Sequence, residues 1–165
     1  MTLKSCLEYN ADMVRKATLK DIRTIHKIIK NFSDKGELLP RALSELYENV
    51  RDFNVFEDEK DNSIIGVCAL HVCWEDLAEI RSMAVLEPFQ KLGVGSQLVD
   101  AALMDARELG IRHVFALTYQ MEFFGKHGFR VVDKSTLPQK VWADCIRCVK
   151  FPDCDETAML KILDY

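Results

Sequence analysis

Two closely spaced glycines, Gly93 and Gly95, form the most informative chemical pattern in the 165-residue chain. They follow a strand-like run at 78–86 and precede a segment with helical periodicity. Glycine lets backbone amides approach a ligand closely, and the opening amides of a helix bind phosphates and other anions. The Lys-Ser/Thr pair of a Walker loop is absent, and Leu98 stands where a dinucleotide-binding loop needs its third glycine. On spacing alone, a phosphate-binding loop and a plain helix entry are both open.

A second candidate is the C-x2-C-x5-C cluster of Cys145, Cys148 and Cys154. Three thiolates with Asp153, Asp155 or a histidine could bind zinc, but strong zinc signatures pair two C-x-x-C units and this cluster has one. Free thiols are the simpler interpretation, and a redox bridge between two of them is the third. We therefore expect no metal. The four histidines are isolated in sequence and indicate no site.

Strand-like and helix-like segments alternate along the chain, which predicts an α/β fold with a mixed sheet. Thr18 and Asp21 form a capping box before the first helix, Pro40 starts the second, and Gly110 ends the third. Apolar residues at helical spacing predict three buried faces: Ile22, Ile25, Ile28, Ile29 and Phe32; Leu43, Leu46, Tyr47 and Val50; Leu98, Val99, Ala102, Leu103, Ala106 and Leu109. The predicted strands are 14–17, 53–57, 63–74, 78–86, 113–118, 129–133 and 156–163, with a short helix at 121–127 and an irregular stretch at 138–155.

Composition restricts the class of protein. Hydrophobic residues make up 48% and charged residues 29%, which is typical of a globular domain with its own core. The net charge of −4 provides no basic field for a nucleic-acid backbone, so we do not expect a general DNA or RNA binder. No apolar run reaches the length of a membrane span or a signal peptide, so we expect a soluble, cytoplasmic protein. We expect a polar extension at 1–12 and a single domain at 13–165.

Residues 90–95, Gln-Lys-Leu-Gly-Val-Gly, match the Q/R-x-x-G-x-G/A pyrophosphate loop of the GNAT family of N-acetyltransferases. The strand residues 83–85 and then Pro88 precede this loop, as in that family. Residues 123–129 resemble the family's aromatic-x-x-x-Gly-Phe signature. The resemblance covers about 14–133 and rests on three elements in order. It implies a GNAT fold, with a mostly antiparallel central sheet flanked by helices and acetyl-CoA in the cleft between splayed central strands.

Within that family the chain looks most like the acetyltransferase domain of the short bacterial N-acetylglutamate synthases. The finer match rests on residues 36–41, 78–79 with 83–85, 117–118 ahead of 123–124, and 137–142. Long synthases also carry an amino-acid-kinase-like domain that binds arginine. Because 165 residues leave no room for it, we expect no regulation through such a domain.

The resemblance implies that acetyl-CoA is the cosubstrate and that most of its contacts are made by backbone. The pantetheine would lie along Met83, Ala84 and Val85, and the amide near Met83 would polarise the thioester carbonyl. The pyrophosphate would bind the amides of Lys91, Leu92, Gly93, Val94, Gly95 and Ser96. Phe124 stands at the cofactor-binding position where the wider family often has a tyrosine that protonates the leaving thiolate. Tyr119 is nearby, and we interpret it as a packing aromatic.

The resemblance also implies roles for charged residues. Glu79 is the candidate general base because an ammonium must lose a proton before it attacks. A polar strand residue paired with Arg81 is the alternative interpretation of Glu79. Arg41 and Arg81 are the candidates for binding the carboxylates of glutamate, since an arginine fork matches a carboxylate. Lys140 and Arg147 lie in the tail region that such folds place near the acceptor.

The expected activity is direct transfer of acetyl from acetyl-CoA to the α-amino group of L-glutamate, a step of arginine biosynthesis. One alternative is a GNAT enzyme for another amine, such as a different amino acid, a polyamine or a protein N-terminus. Another is a non-catalytic acyl-CoA-binding sensor, which the missing tyrosine favours. We expect a small-molecule partner, no nucleic-acid or membrane partner, and a possible homodimer.

Overall fold

A computed structural model describes residues 13–138, 142–148 and 152–165. The expected extension at 1–12 and the candidate Lys140 lie outside the described residues. The strands are β1 Val14–Lys16, β2 Phe53–Glu57, β3 Ile64–Trp74, β4 Leu77–Val85, β5 His113–Thr118, β6 Arg130–Val131 and β7 Thr157–Ile162. The helices are α1 Ile22–Asp34, α2 Leu43–Glu48, α3 Val94–Glu108, α4 Met121–Lys126 and α5 Trp142–Ile146.

The seven strands form one mixed sheet in the order β1-β2-β3-β4-β5-β7-β6. β4 and β5 run parallel, whereas the β1–β2, β5–β7 and β6–β7 pairs are antiparallel. The α3 helix is the crossover between the two parallel strands, as parallel pairing requires. The predicted α/β class and mixed sheet are confirmed.

The described chain divides into two compact units. The first holds residues 13–68 and 83–101, and the five apolar residues predicted for the face of α1 are all buried in it. In this unit β3 approaches α3 at Gly66, where an added Cβ would lie 2.9 Å from Leu98 Cδ1 and 3.0 Å from Val94 Cγ1. The glycine therefore sets how closely the opening of α3 packs on β3.

The second unit holds residues 69–82 and the described part of 102–165. Its buried cluster consists of Leu77, Phe115, Leu137 and Ala158. These residues come from β4, β5, β7 and the segment after β6. The cluster therefore packs β4 and β7 against β5 and holds the two neighbours of that strand in place.

The predicted capping box is present, but it forms on a short 3-10 turn, Leu19–Asp21, that precedes α1. Asp21 Oδ2 accepts a hydrogen bond of 2.7 Å from Thr18 N. Arg15 Nη1 also donates to Asp21 Oδ2 at 2.7 Å, and Arg15 Nε donates to Glu57 Oε1 at 2.8 Å. The hydrogen bond from Arg15 lowers the pKa of Asp21 to about 2, although burial acts in the opposite direction.

Two predictions about helix α2 are wrong. It begins at Leu43 and not at Pro40, because Ala42 has an extended backbone with ψ of 146°. Leu46 is buried as predicted, but Tyr47 is exposed. Helical spacing identified one buried position in this six-residue helix and overestimated the width of its buried face.

Three further predictions need correction. Leu109 is 62% exposed because α3 ends at Glu108 and the chain turns through Gly110, which has a φ of +75°. The strand predicted at 129–133 shortens to β6, since Asp133 accepts a hydrogen bond from Ser135 N and caps the next turn. The stretch predicted to be irregular at 138–155 contains the helix α5.

Within the described residues, no helix has both the length and the apolar character needed to cross a membrane.

Candidate active site

The glycine loop leads directly into α3, as the sequence predicts. The first hydrogen bond of this helix runs from Gln97 N to Gly93 O over 3.1 Å. Lys91 and Gly93 have left-handed backbones with φ of 63° and 88°, whereas Leu92 between them does not. A backbone of alternating handedness can turn successive N–H groups towards one side, which is how many anion sites are built. The segment 91–96 therefore combines a backbone of this kind with the opening amides of a helix.

Gly93 is needed for its backbone conformation rather than for space inside the protein. A Cβ added there would meet no atom within 4 Å, but a φ of +88° is strained for any L side chain. An anion seated on the amides of this loop would approach that open side. The exposure of Lys91 and Leu92 agrees with a loop whose contacts to a ligand come from its backbone.

Gln90 connects the end of β4 to the loop, and no separate role was predicted for this residue. Its side-chain Nε2 donates a 2.8 Å hydrogen bond to Val85 O. Leu86 N donates to Ile65 O of β3 at 2.9 Å, which holds the same strand end from the sheet side. The backbone at 83–85, predicted to hold pantetheine, is thus fixed at its carboxyl end. Gln90 was recognisable as the first position of the loop motif, but its partner was not.

Side chains alternate along β4. Ala78, Ile80, Ser82 and Ala84 are buried, whereas Glu79, Arg81, Met83 and Val85 are half-buried. Glu79 and Arg81 thus share one face, as their two-residue spacing predicts. Ser82 has a φ of +51°, which puts a left-handed residue inside the strand. Backbone strain of this kind clusters at active sites. Nothing in the sequence marks the left-handed position, since no glycine stands there.

The ladder between β4 and β5 ends at Glu79. It covers three pairs, from Leu77 with His113 to Glu79 with Phe115. β5 continues to Thr118 and remains paired with β7 over its full length. The β4–β5 ladder therefore stops in mid-strand, and Glu79 is the last residue of β4 within it.

The three clustered cysteines belong to the second unit, as does Glu79. Burial raises the pKa of Cys145 to about 11, and the neighbouring Cys154, Glu79, Cys148 and Glu156 contribute to the rise because their negative charges oppose a thiolate. Cys145 therefore carries a protonated thiol at neutral pH. The five cysteines of the described chain are free, and no group of three or more His, Cys, Asp or Glu side chains there could hold a metal ion.

Phe124 lies in α4 and is 5% exposed. Its ring packs edge-on against Phe129, with the centroids 5.2 Å apart, and edge-on against Phe123 at the same distance. A phenylalanine has no proton to give, so this position provides no general acid. The nearby Tyr119 is not the packing aromatic that we predicted. It is 42% exposed, and its hydroxyl donates a 2.6 Å hydrogen bond to Asp155 Oδ1.

Arg41 lies in the first unit, two residues before α2. Its side chain is 7% exposed, and Nη1 donates a 2.9 Å hydrogen bond to Glu45 Oε1. It lines an open groove of about 220 Å³ together with His26, Lys30, Ser33, Asp34 and Pro40. Arg41 and Lys30 bring positive charge to this groove, and Lys30 is paired there with Asp34 at 2.8 Å. Of the other candidates, Arg81 is half-buried and Arg147 is exposed.

Comparison with known proteins gives a family match over residues 19–129, to the acetyltransferase (GNAT) family. An uncharacterized N-acetyltransferase of Chlorobaculum tepidum is 40% identical over 150 residues, which cover 91% of this chain and 96% of that protein. An amino-acid acetyltransferase of Mycobacterium tuberculosis is 36% identical over 136 residues, which cover 82% of this chain and 78% of the relative.

Solved structures agree with the sequence matches. The N-acetylglutamate synthase of Neisseria gonorrhoeae, complexed with coenzyme A and N-acetyl-glutamate, aligns with a TM-score of 0.82 at 27% identity. The alignment covers 92% of this chain and 35% of the synthase, so the chain spans about a third of that protein. A Mycobacterium tuberculosis protein in complex with CoA aligns with a TM-score of 0.78 at 33% identity, covering 92% of this chain and 99% of that one.

The glycine loop at the opening of α3, the ladder that ends at Glu79 and these matches all point to one family. The match at 19–129 covers more than half of the chain, and a relative at 40% identity covers nearly all of it. The chain belongs to the acetyltransferase (GNAT) family.

Proposed function

We propose that the protein transfers the acetyl group of acetyl-CoA to the α-amino group of an amino acid, and that this amino acid is L-glutamate. The observation that carries the proposal is the loop at 91–96, whose backbone suits a pyrophosphate, in a chain that belongs to the GNAT family. Membership of that family makes acetyl-CoA the cosubstrate. The choice of glutamate rests on the basic candidates Arg41 and Arg81 and on the similarity to amino-acid acetyltransferases. This activity would belong to arginine biosynthesis.

The backbone of the first unit fits the cosubstrate. The alternating handedness at Lys91 and Gly93 suits the pyrophosphate, and the open side of Gly93 leaves its approach clear. We assign the pyrophosphate to the amides at 91–96 and the pantetheine to the backbone of Met83, Ala84 and Val85. When bound, acetyl-CoA supplies an activated thioester. The amide of Met83 follows the left-handed Ser82, and we assign to it the hydrogen bond to the thioester oxygen.

Proton removal falls to Glu79 in this proposal. An amino acid arrives as an ammonium ion, which has no lone pair until a base takes a proton from it. Glu79 is half-buried and is the last residue of β4 within the β4–β5 ladder. Its carboxylate would accept the proton directly or through one water. Since Phe124 cannot donate a proton, the thiolate of CoA leaves without a general acid at that position.

Arginine forks bind the acceptor in this proposal. A glutamate has two carboxylates, and a charge-assisted, two-pronged hydrogen bond to arginine is the strongest single contact available to each. Arg81 shares a strand face with Glu79. One amino-acid substrate would therefore place its carboxylate against Arg81 and its amine against Glu79. Arg41 is already hydrogen-bonded to Glu45, which fixes the orientation of its guanidinium. A polyamine acceptor would instead require acidic walls.

The deciding experiment measures CoA release from acetyl-CoA by the purified protein with twenty amino acids and several polyamines. Glutamate-dependent release, with N-acetylglutamate identified by mass, is the expected result. Release with another amine alone would refute the choice of glutamate and leave the acetyltransferase activity intact. Binding of acetyl-CoA without release for any amine would favour the sensor alternative.

Two variants test the roles of the side chains. Glu79→Gln should lower kcat by roughly a hundredfold or more, because a general base accelerates the reaction by at least about that factor. Arg41→Ala should raise the KM for glutamate by at least about tenfold, since a charge-assisted contact is lost. Arg23→Ala, on the exposed side of α1, is the matched control and should change neither constant. An unchanged KM in Arg41→Ala would remove Arg41 from the acceptor site.

A further inference from the structure

The carboxyl end of β5 and the start of β7 lie together in the sheet. Thr118, the last residue of β5, pairs with Thr157, the first residue of β7. The residues just beyond this pair are joined by side chains: Tyr119 Oη donates a 2.6 Å hydrogen bond to Asp155 Oδ1. A short bond to a carboxylate is charge-assisted and roughly twice as strong as a neutral one. The Tyr119–Asp155 hydrogen bond thus connects the two chain segments just beyond the end of the β5–β7 ladder.

Two other contacts hold the same stretch of chain. Lys134 Nζ donates a 2.8 Å hydrogen bond to Cys154 O. Thr157 Oγ1 donates to Met121 Sδ at 3.3 Å. The segment at 154–157 is therefore attached to the turn after β6, to the start of α4 and, through Tyr119, to the end of β5.

The strand to which this segment is attached also pairs with Glu79. Glu79 pairs with Phe115 of β5, three residues before Thr118, where β5 meets the start of β7. Cys154, Glu156 and Glu79 also act electrostatically on Cys145, which agrees with this placement. The hydroxyl of Tyr119 is engaged by Asp155, and we assign this tyrosine a structural role rather than proton transfer.

We propose that Tyr119 and Asp155 are positioning residues for the acceptor amino acid: their hydrogen bond holds the segment at 154–156 at the carboxyl end of β5, the strand that pairs with Glu79, and thereby shapes the acceptor side of the site. The proposal rests on the proposed function, because it assigns the Glu79 neighbourhood to the acceptor. Neither side chain touches the reacting atoms in this scheme. Loss of the bond should loosen the segment and weaken acceptor binding, and it should leave the loop at 91–96 unaffected.

Tyr119→Phe tests this by removing one oxygen atom. The KM for the acceptor should rise roughly tenfold, as expected for the loss of a hydrogen bond to a charged group, while the KM for acetyl-CoA stays within about twofold. Asp155→Asn keeps an oxygen that can accept the bond and should show a smaller rise than Asp155→Ala. In the double variant Tyr119→Phe/Asp155→Ala, the effects should not add, because both changes break the same bond.

Tyr165→Phe is the matched control. Its hydroxyl also donates a 2.6 Å hydrogen bond, to Ile111 O, and it lies in the same unit away from the cysteine segment. Tyr165→Phe should leave the acceptor KM at the wild-type value. A similar rise in both variants would show a general loss of rigidity and would overturn the proposal. An equal rise in the KM for acetyl-CoA in Tyr119→Phe would also overturn it.

A second measurement does not depend on activity. The rate at which iodoacetamide labels Cys154, followed by peptide mass in the folded full-length protein, should increase several-fold in Tyr119→Phe and not in Tyr165→Phe. Unchanged labelling would show that the hydrogen bond does not hold the segment. If no amino acid is acetylated, the proposed function fails. Faster labelling of Cys154 in Tyr119→Phe would still support the conclusion that the hydrogen bond holds this segment in place. The two failures are therefore distinguishable.

Discussion

Ser82 has a backbone conformation that is unusual for a residue inside a strand. It is buried in β4 with a φ of +51°, a region that costs an L residue roughly 1–2 kcal/mol. A strand of extended residues would avoid this cost. The left-handed residue separates the candidate side chains, which precede it, from the candidate cofactor backbone, which follows it. Strain of this kind persists where the surrounding structure fixes it and is frequent at active sites.

Substitutions at Ser82 should reveal this strain. Ser82→Gly should change the free energy of unfolding by less than about 1 kcal/mol, because relief of the left-handed strain offsets the extra entropy of glycine in the unfolded chain. Ser82→Val should destabilise the protein by at least about 2 kcal/mol, since a β-branched residue at this φ is a severe outlier. Urea unfolding of both variants checks the prediction. Similar stability of the Gly and Val variants would contradict it.

Asp21 gives a residue-level prediction about pH. Its folded pKa of about 2 lies below the ordinary value of 3.8, so its ionisation stabilises the fold above pH 4 and this contribution is lost as pH falls towards 2. Asp21→Asn should cost about 2 kcal/mol at pH 7, and the difference from wild type should shrink between pH 4 and 2. Urea unfolding at several pH values measures this. The control Asp34→Asn breaks an exposed pair with Lys30 and should cost under about 0.5 kcal/mol.

At the scale of elements, the contact between β3 and α3 links the sheet to the glycine loop. Gly66→Ala would put a Cβ within 3.0 Å of both Val94 and Leu98, which are themselves buried. We expect a loss of roughly 1–3 kcal/mol from overpacking. Because Val94 opens α3 directly after Gly93, the KM for acetyl-CoA should also rise. Thermal unfolding and steady-state kinetics test both effects.

Gly125 provides the comparison for that substitution. It lies inside α4, and an added Cβ would meet no atom within 4 Å. Gly125→Ala should therefore stabilise the protein by up to about 1 kcal/mol, as alanine does in a helix. Opposite signs for the two substitutions are expected. A loss of stability in both would mean that glycine is required for a reason other than packing.

Elements were predictable where periodicity was long. The face of α1 and the strands β3, β4, β5 and β7 follow the sequence pattern to within about two residues at their ends. Among the short elements, β1, β2 and α4 also match to within one residue, whereas the limits of α2 and β6 were not predictable, because local and tertiary contacts fix them. Ala42 stays extended and delays α2, whereas the Asp133 cap ends the stretch after β6. A stripe of apolar residues also does not indicate where a helix ends. For this reason Leu109 was predicted to be buried, whereas it is exposed.

The candidate site was predictable to the extent that backbone conformation follows from glycine. The loop motif located the left-handed Gly93 and the opening of α3. It did not identify the strained Ser82, because a serine in a strand carries no local signal of a left-handed backbone. The hydrogen-bond partners of Gln90 and Tyr119 could not be predicted either, because each pair depends on how the folded backbone brings two residues together. Side-chain pairs across 36 residues cannot be derived from spacing.

At the scale of the whole molecule, binding of the cosubstrate should appear as stability. The protein has a net charge of −4 and acetyl-CoA is itself anionic, so affinity must come from the local amides of the loop rather than from overall attraction. A ligand at a hundred times its Kd stabilises a folded protein by about 2.7 kcal/mol. For a chain of 165 residues this corresponds to a rise in Tm of about 5–10 °C.

A thermal shift assay with acetyl-CoA measures this rise. Gly93→Val should abolish it, because a β-branched residue cannot take the φ of +88° that the loop requires. EDTA should leave Tm unchanged, since the described cysteines, histidines and carboxylates form no metal group whose removal could unfold the chain. A fall in Tm with EDTA would instead assign a structural metal to the cysteine segment. A full shift in Gly93→Val would move acetyl-CoA away from the loop, and the assignment of the pyrophosphate to the amides at 91–96 would be wrong.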